Sequence, residues 1–463
     1  MREAVLAKLR NLEDVAAVTG GRLLQGAAGA AYAGVSIDSR TLRPRELFCA
    51  IVGPRFDGHS FVEEAARRGA AGALVHANAL APADFPLIRV ADTTAALADL
   101  AREARRRAEI PVIAITGSVG KTTTKDMTAA LLGTRGPVLK TQGNLNNQYG
   151  LPLTLLRLEE RHTAAVLELG MSAPGELRAL SGIAEPDVAV ITRIAPVHLQ
   201  FFASLDAIAD AKAEILEGLR LTGTAVLNGD DPLQRARAGG VGRVVWFGRD
   251  RRHDVSAENW RGTAMGMRFD LVIDGEKHDV ALPLAGTHFV ENFLAAAATA
   301  LTVGIRVEAI IEAAASLAPA RHRGELLRLG QGVLLLDDCY NSNPVALDAA
   351  LAALQLAGER RRVAVLGDML ELGPEAAAMH RAAGERAAEK AQLVVGVGPL
   401  AAELVEGASR HAETRHYGDA EVAAAALPLL VHPGDAVLVK GSRGVRLESV
   451  IEALVARFGR ELG

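Results

Sequence analysis

Between residues 114 and 126 the chain reads AITGSVGKTTTKD, with Gly117 and Gly120 standing just ahead of Lys121 and Thr122. Small residues let backbone N–H groups approach an anion, and a helix starting behind them adds its positive N-terminal dipole. A lysine can neutralise terminal phosphates and a threonine hydroxyl can ligate magnesium. The chemistry on offer is polyphosphate binding by residues 117–123: Gly117, Ser118, Val119, Gly120, Lys121, Thr122 and Thr123. The usual loop of this kind has five residues from one glycine to the next. Here Ile115 fills the first position, so the spacing is shortened. Gly-x-x-Gly-Lys alone also describes a plain turn with a surface lysine. The apolar run VIAI before it and the helical pattern after it favour nucleotide.

A nucleotide here would call for metal ligands at the carboxyl ends of neighbouring strands. Glu168 ends the run AAVLE and His198 follows VAVIT at a short distance. Taken singly, each reads as an ordinary strand-end or loop residue. Beside a phosphate loop, Glu168 becomes a hard oxygen ligand for magnesium. Lys212, in LDAIADAKAEIL, reads by spacing as a solvated helix lysine near Asp210 and Glu214. The stretch VVGVGPLA (394–401) offers G-x-G-x-x-A, a dinucleotide fingerprint in form. Pro399 and the want of a well-placed acid make it a tight strand–helix turn instead.

These residues need a scaffold, and the rest of the chain supplies one. Ala/Glu/Arg-rich helical segments alternate with short β-branched runs, among them RVVWF, VLLLDD, RVAVLGD and AVLVKGS. Such alternation predicts parallel sheets built from βαβ units. At about 150 residues per domain, 463 residues make about three. The predicted fold is α/β: a smaller first domain over 1–105, a central phosphate-loop domain over 106–322 and a Rossmann-like domain over 323–463.

Composition removes other classes. Aromatic residues make up 4% and the net charge is −4, which argues against a nucleic-acid platform or an anionic membrane partner. Cys49 and Cys339 are too far apart in sequence to suggest a metal motif. The start, MREAVLAKLRNLEDVAAV, is broken by charges, and no apolar run approaches the ~20 residues of a membrane span. A cytoplasmic monomer is expected.

Across the whole chain an ordered set of motifs stands out: TGSVGKT, GNLNNQYGLPLTLL, ELGMSAPGEL, GTHFVEN, DDCYNSNP, GDMLELG and KGSR. The set resembles the Mur ligase family of ATP-dependent amide-forming enzymes. VSIDSRTLRPRELFCAIVGPRFDGHSF (35–61) is similar to that family's domain for a uridine nucleotide sugar. GNLNN, DCYNSNP, GDMLELG and His380 point, within the family, to addition of D-alanyl-D-alanine to a UDP-N-acetylmuramoyl (UDP-MurNAc) tripeptide. The resemblance implies that ATP phosphorylates the tripeptide carboxylate and that the dipeptide amine attacks the acyl phosphate. It implies ATP and Mg2+ as cofactors, with Thr122 and Glu168 on one ion and His198 and Lys212, carbamylated, on another. His288, Asn292, Arg323 and Asp338 fall on its ATP pattern. Asn144, Asn146, Asn147, Tyr340, Asn341, Asn343, Asp368, Glu371, Lys440 and Arg443 fall on its peptide and reaction-centre pattern. Ser39, Arg40, Arg55, Asp57 and His59 fall on its uridine-sugar pattern. The chain departs from it at Arg193, where Asn is usual, at Gln200, where an acid is common, and at Phe289, where Asn is frequent. Two rivals are a sister ligase adding a single lysine or diaminopimelate, and an ATPase switch without covalent product. The D-N-P-R element of the diaminopimelate enzyme is absent.

Overall fold

The computed structural model describes residues 11–197 and 200–461, so His198 lies outside the described residues. The apolar β-branched runs VIAIT and AAVLE are buried along their whole length, as strands covered on both faces must be. Among the described residues they and their like form three sheets of five, nine and six strands.

In the first sheet, Gly34–Ser36, Glu46–Cys49, Gly72–Val75 and Leu87–Arg89 run parallel, and Arg22–Gln25 pairs antiparallel at one edge. The helix Thr93–Arg107, capped by Asp92, leads out of this sheet. Near its end Arg105 is fully buried and clamps it to the next sheet. Its guanidinium donates to Ala184 O and Glu185 O at 2.9 Å and to Asp187 Oδ2 at 2.7 Å. The same carboxylate accepts from Val112 N–H at 2.9 Å, so the clamp closes on the first residue of the strand Val112–Thr116. Burial pushes the Arg105 guanidinium pKa down, and Asp187 opposes it.

That strand sits where the order of the nine-stranded sheet reverses. On one side lie Ala164–Glu168 and Val138–Lys140; on the other lie Val188–Ile191, Thr224–Asn228 and Val244–Gly248. Ligands of open α/β sheets gather at the carboxyl ends of strands around such a reversal. The sheet is not purely parallel, as the alternation of runs suggested. Val255–Thr263, Gly266–Ile273 and Glu276–Leu282 form an antiparallel meander. Its second turn is Asp274-Gly275, both at positive φ, a two-residue hairpin signal already present in the sequence.

The six-stranded sheet is parallel except for Glu325–Leu329, which pairs antiparallel with Val333–Asp338. Ala436–Lys440 lies between Val333–Asp338 and Arg362–Gly367. The strand ends Asp338, Lys440 and Gly367 are therefore neighbours. The weak fingerprint at 394–401 is the turn between the strand Leu393–Val397 and the helix Ala401–Ala408.

Candidate active site

The strand Val112–Thr116 feeds a turn and then the helix Lys121–Leu132. Gly120 is the residue before the helix, at φ 85°, and no side chain caps the first turn. Uncapped N–H groups and the helix dipole make this end an anion site. A Cβ at Gly117 would collide with Thr192 Oγ1, and one at Gly120 with Asn292 Oδ1, so both positions require glycine. The loop is braced from the strand Val188–Ile191: Ser118 N–H donates to Arg193 O at 2.7 Å and Thr192 Oγ1 donates to Val119 O at 2.6 Å. Lys121 Nζ folds back onto Gly117 O at 2.8 Å. Burial pushes its pKa down, Glu168 opposes this and Arg323 adds to it.

Next along the sheet, Thr122 Oγ1 donates to Glu168 Oε2 at 2.8 Å and Asn146 Nδ2 donates to Glu168 Oε1 at 3.0 Å. Strand end, helix start and the GNLNN loop thus converge on one buried carboxylate. Lys212 is 2% exposed on the helix Leu205–Ala213 and faces the same cavity. Burial, with Lys121 adding to it, pushes its pKa well below the ordinary lysine value. Buried, with its pKa driven down, this amine is the reverse of a solvated helix lysine.

The third sheet supplies the opposite wall. Lys440 Nζ donates to Asp338 Oδ2 at 2.6 Å and to Asn341 O at 2.9 Å. Tyr340 is flanked by two guanidinium groups, Arg323 at 4.0 Å and Arg443 at 4.9 Å from the ring centre. Such cation–π contacts hold two like charges side by side without an acid between them. His288 joins from the central domain; its Nδ1 is buried without a hydrogen-bond partner among the described residues, and burial pushes its pKa down to about 4. Together these walls enclose a cavity of about 860 Å³ lined by Ser118–Thr123, Glu168, Lys212, Asn292, Arg323, Tyr340 and Arg443.

Models of three Mur ligase units match the chain in order: the family's catalytic domain at 31–105, its middle domain at 115–300 and its glutamate ligase domain at 322–443. The UDP-N-acetylmuramoyl-tripeptide--D-alanyl-D-alanine ligase of Bacillus subtilis (strain 168) is 38% identical over 429 residues, 91% of this chain and 93% of that protein. The chain belongs to the Mur ligase family. A crystal structure of MurF from Acinetobacter baumannii superposes with a TM-score of 0.90 at 32% identity, covering 96% of this chain and 99% of that one. The MurF ligase of Thermotoga maritima, solved in complex with ADP, gives a TM-score of 0.84 at 32% identity, covering 92% and 97%.

Within this Mur ligase, Asn144, Asn147, Asn341, Asn343 and Glu371 also line the cavity. Asn343 Oδ1 at the same time caps the helix Pro344–Gln355. Asp368 does not line the cavity: it is 4% exposed and its carboxylate accepts from Ala401 N–H at 2.7 Å, at the start of the helix Ala401–Ala408. His380, fully buried, braces the loop that follows, with Met369 N–H donating to its Nε2 at 2.9 Å. The uridine-pattern residues do not reach the cavity either. Ser39 Oγ donates to Glu64 at 3.0 Å, and Arg40, on the surface, pairs with Asp38. Asp57 lies 2.6 Å from His59 Nδ1, whose ring is buried and whose Nε2 accepts from His76 N–H at 3.0 Å. Arg55 is exposed. Phe289 is 2% exposed, with its ring centre 4.3 Å from that of His288, so this departure sets an aromatic ring of the core at the cavity wall. Sequence reading missed Thr192, Ser442 and Glu291. Thr192 was legible as the first residue past a strand beside the loop; Ser442, whose Oγ accepts from Leu370 N–H at 3.0 Å, lies within the KGSR motif between Lys440 and Arg443.

Proposed function

We infer that this chain joins D-alanyl-D-alanine to a UDP-N-acetylmuramoyl tripeptide with ATP, yielding the pentapeptide precursor of peptidoglycan. The observation that carries the mechanism is the meeting of an uncapped helix N-terminus with Lys121, Lys440, Arg323 and Arg443 in one cavity. Triphosphate and carboxylate repel, and cations fixed beforehand let them approach. The loop 117–123 holds the polyphosphate, with Lys121 at its reactive end. The tripeptide carboxylate oxygen attacks the γ-phosphorus as the bond to ADP breaks. The dipeptide amine then attacks the acyl carbon, phosphate leaves and the amine loses a proton. Positioning and charge do this work; no side chain forms a bond to substrate.

The donors present fit Mg2+: the Thr122 hydroxyl and Glu168 carboxylate are hard oxygen ligands already 2.8 Å apart. When bound, the ion would neutralise phosphate charge. Lys212, its pKa driven down by burial, fits a second such role if its neutral amine adds to carbon dioxide and loses a proton, becoming an oxygen-bearing carbamate. His198 is proposed beside it on the motif pattern alone. His288, uncharged with an open nitrogen, and Asn292 suit the polar edge of the adenine. The units are taken as 1–105 for the uridine sugar, with Ser39, Arg40, Arg55, Asp57 and His59 in that site, 106–322 for ATP, and 323–463 for closure and the dipeptide. A single chain suffices.

The test is to incubate the protein with ATP, Mg2+ and UDP-MurNAc tripeptide, offer a panel of amines, and weigh the product. Mass gain is expected with D-alanyl-D-alanine alone. Gain with single amino acids instead would move the chain to the sister ligases.

A further inference from the structure

We infer that Arg193 is a further nucleotide-recruiting cation, parked on Glu291 until a polyphosphate displaces the carboxylate. Arg193 stands where the family pattern carries Asn, and its backbone is stitched to the phosphate loop. Ser118 N–H donates to its carbonyl at 2.7 Å, and Val119 pairs with it in an antiparallel bridge. The side chain emerges on the wall of the cavity that holds Lys121. It is 47% exposed, and among the described residues its one side-chain partner is Glu291, with Nη1 3.4 Å from Oε2.

Glu291 does not depend on that contact. Arg249 Nε donates to its other oxygen at 3.0 Å, and the Arg249 guanidinium lies over the Trp260 ring at 4.9 Å. Losing Arg193 would leave Glu291 paired. A long, half-exposed ion pair contributes little to stability. A polyphosphate offers more charge and several acceptor oxygens, and guanidinium matches phosphate well. Glu291 also precedes Asn292, whose amide oxygen closes against Gly120, so the exchange takes place at the rim of the nucleotide loop.

The inference rests on ATP being the nucleotide held by the loop. The experiment is calorimetric titration of the parent, Arg193→Gln and Glu291→Gln with ATP and with adenosine, which lacks the charge. Melting temperatures check that each variant is folded. Arg193→Gln should weaken ATP about tenfold and leave adenosine unchanged. Glu291→Gln should bind ATP at least as tightly as the parent. ATP affinity within about twofold in Arg193→Gln, an equal loss for adenosine, or an equal loss in Glu291→Gln would each overturn the inference, since the pair would then be structural. A parent that binds no ATP would sink the functional reading too; a parent that binds while Arg193→Gln matches it sinks this inference alone.

Discussion

The phosphate loop and the block 38–59 are both motif-rich turns, yet they store their polar groups differently. At the loop, the helix N-terminus has no side-chain cap and Lys212 sits buried beside Lys121 with its pKa driven down. In the first domain the corresponding groups are committed to one another: Arg40 to Asp38, Ser39 to Glu64, His59 to Asp57 and His76. One region is held open for a ligand by backbone geometry. The other, the exposed Arg55 apart, can take a ligand only by exchanging contacts. Exchange is cheap where the pair is exposed, as for Arg40, and costly where the ring is buried, as for His59.

The strongest way to break this contrast is Lys121→Ala. Ser118, Thr192 and Arg193 brace the loop backbone independently of the lysine, whose own bond goes to Gly117 O, so the melting temperature should hold. Phosphate release in the full assay should fall by about 10³-fold or more. Retained turnover would mean that the loop is not where the transferred phosphate sits.

Lys212→Met comes next, and it separates burial from catalysis. Activity should fall about a hundredfold, with partial recovery on adding short carboxylates that stand in for a carbamate. Stability should move the other way. The folded Lys212 is uncharged well below pH 10.5 while the unfolded chain binds the proton, so the parent is destabilised as pH falls through that window. Relative to Lys212→Met in carbonate-free buffer, the parent should gain up to ~1.4 kcal/mol per pH unit on rising toward pH 10.5. Parallel stability curves would show that the amine is charged in the fold.

Lys212 also marks the limit of what was legible in the sequence. The loop could be read because phosphate binding constrains consecutive residues: glycines at fixed positions, then Lys121 and Thr122 at a helix start. Glu168 could be read because strand ends near such a loop are few. The burial of Lys212 could not be read from its neighbours, because it comes from packing near residues 91 positions away, such as Lys121, and not from helical spacing. Asp368 shows the opposite limit. It lies in a motif that contributes Leu370 and Glu371 to the cavity, yet its own carboxylate turns inward to the Ala401 N–H. The meander at 255–282 was missed because short parallel-type runs dominated the pattern, although Asp274-Gly275 signalled the hairpin.

The smallest expected effect tests the exchange side of the contrast. Arg40 is 82% exposed and donates to Asp38 through Nε at 2.9 Å and Nη2 at 2.8 Å. If its partner is traded for a diphosphate or sugar oxygen on binding, Arg40→Ala should raise KM for the UDP substrate about fivefold, leaving KM for ATP and the melting temperature unchanged. Asp38→Asn should lower the same KM, because it removes the competing carboxylate while the arginine stays. A fall in affinity from both substitutions would show that the pair shapes the turn at Ser39 rather than waiting for a ligand. The first domain would then resemble the phosphate loop after all, set by its backbone and not by side-chain exchange.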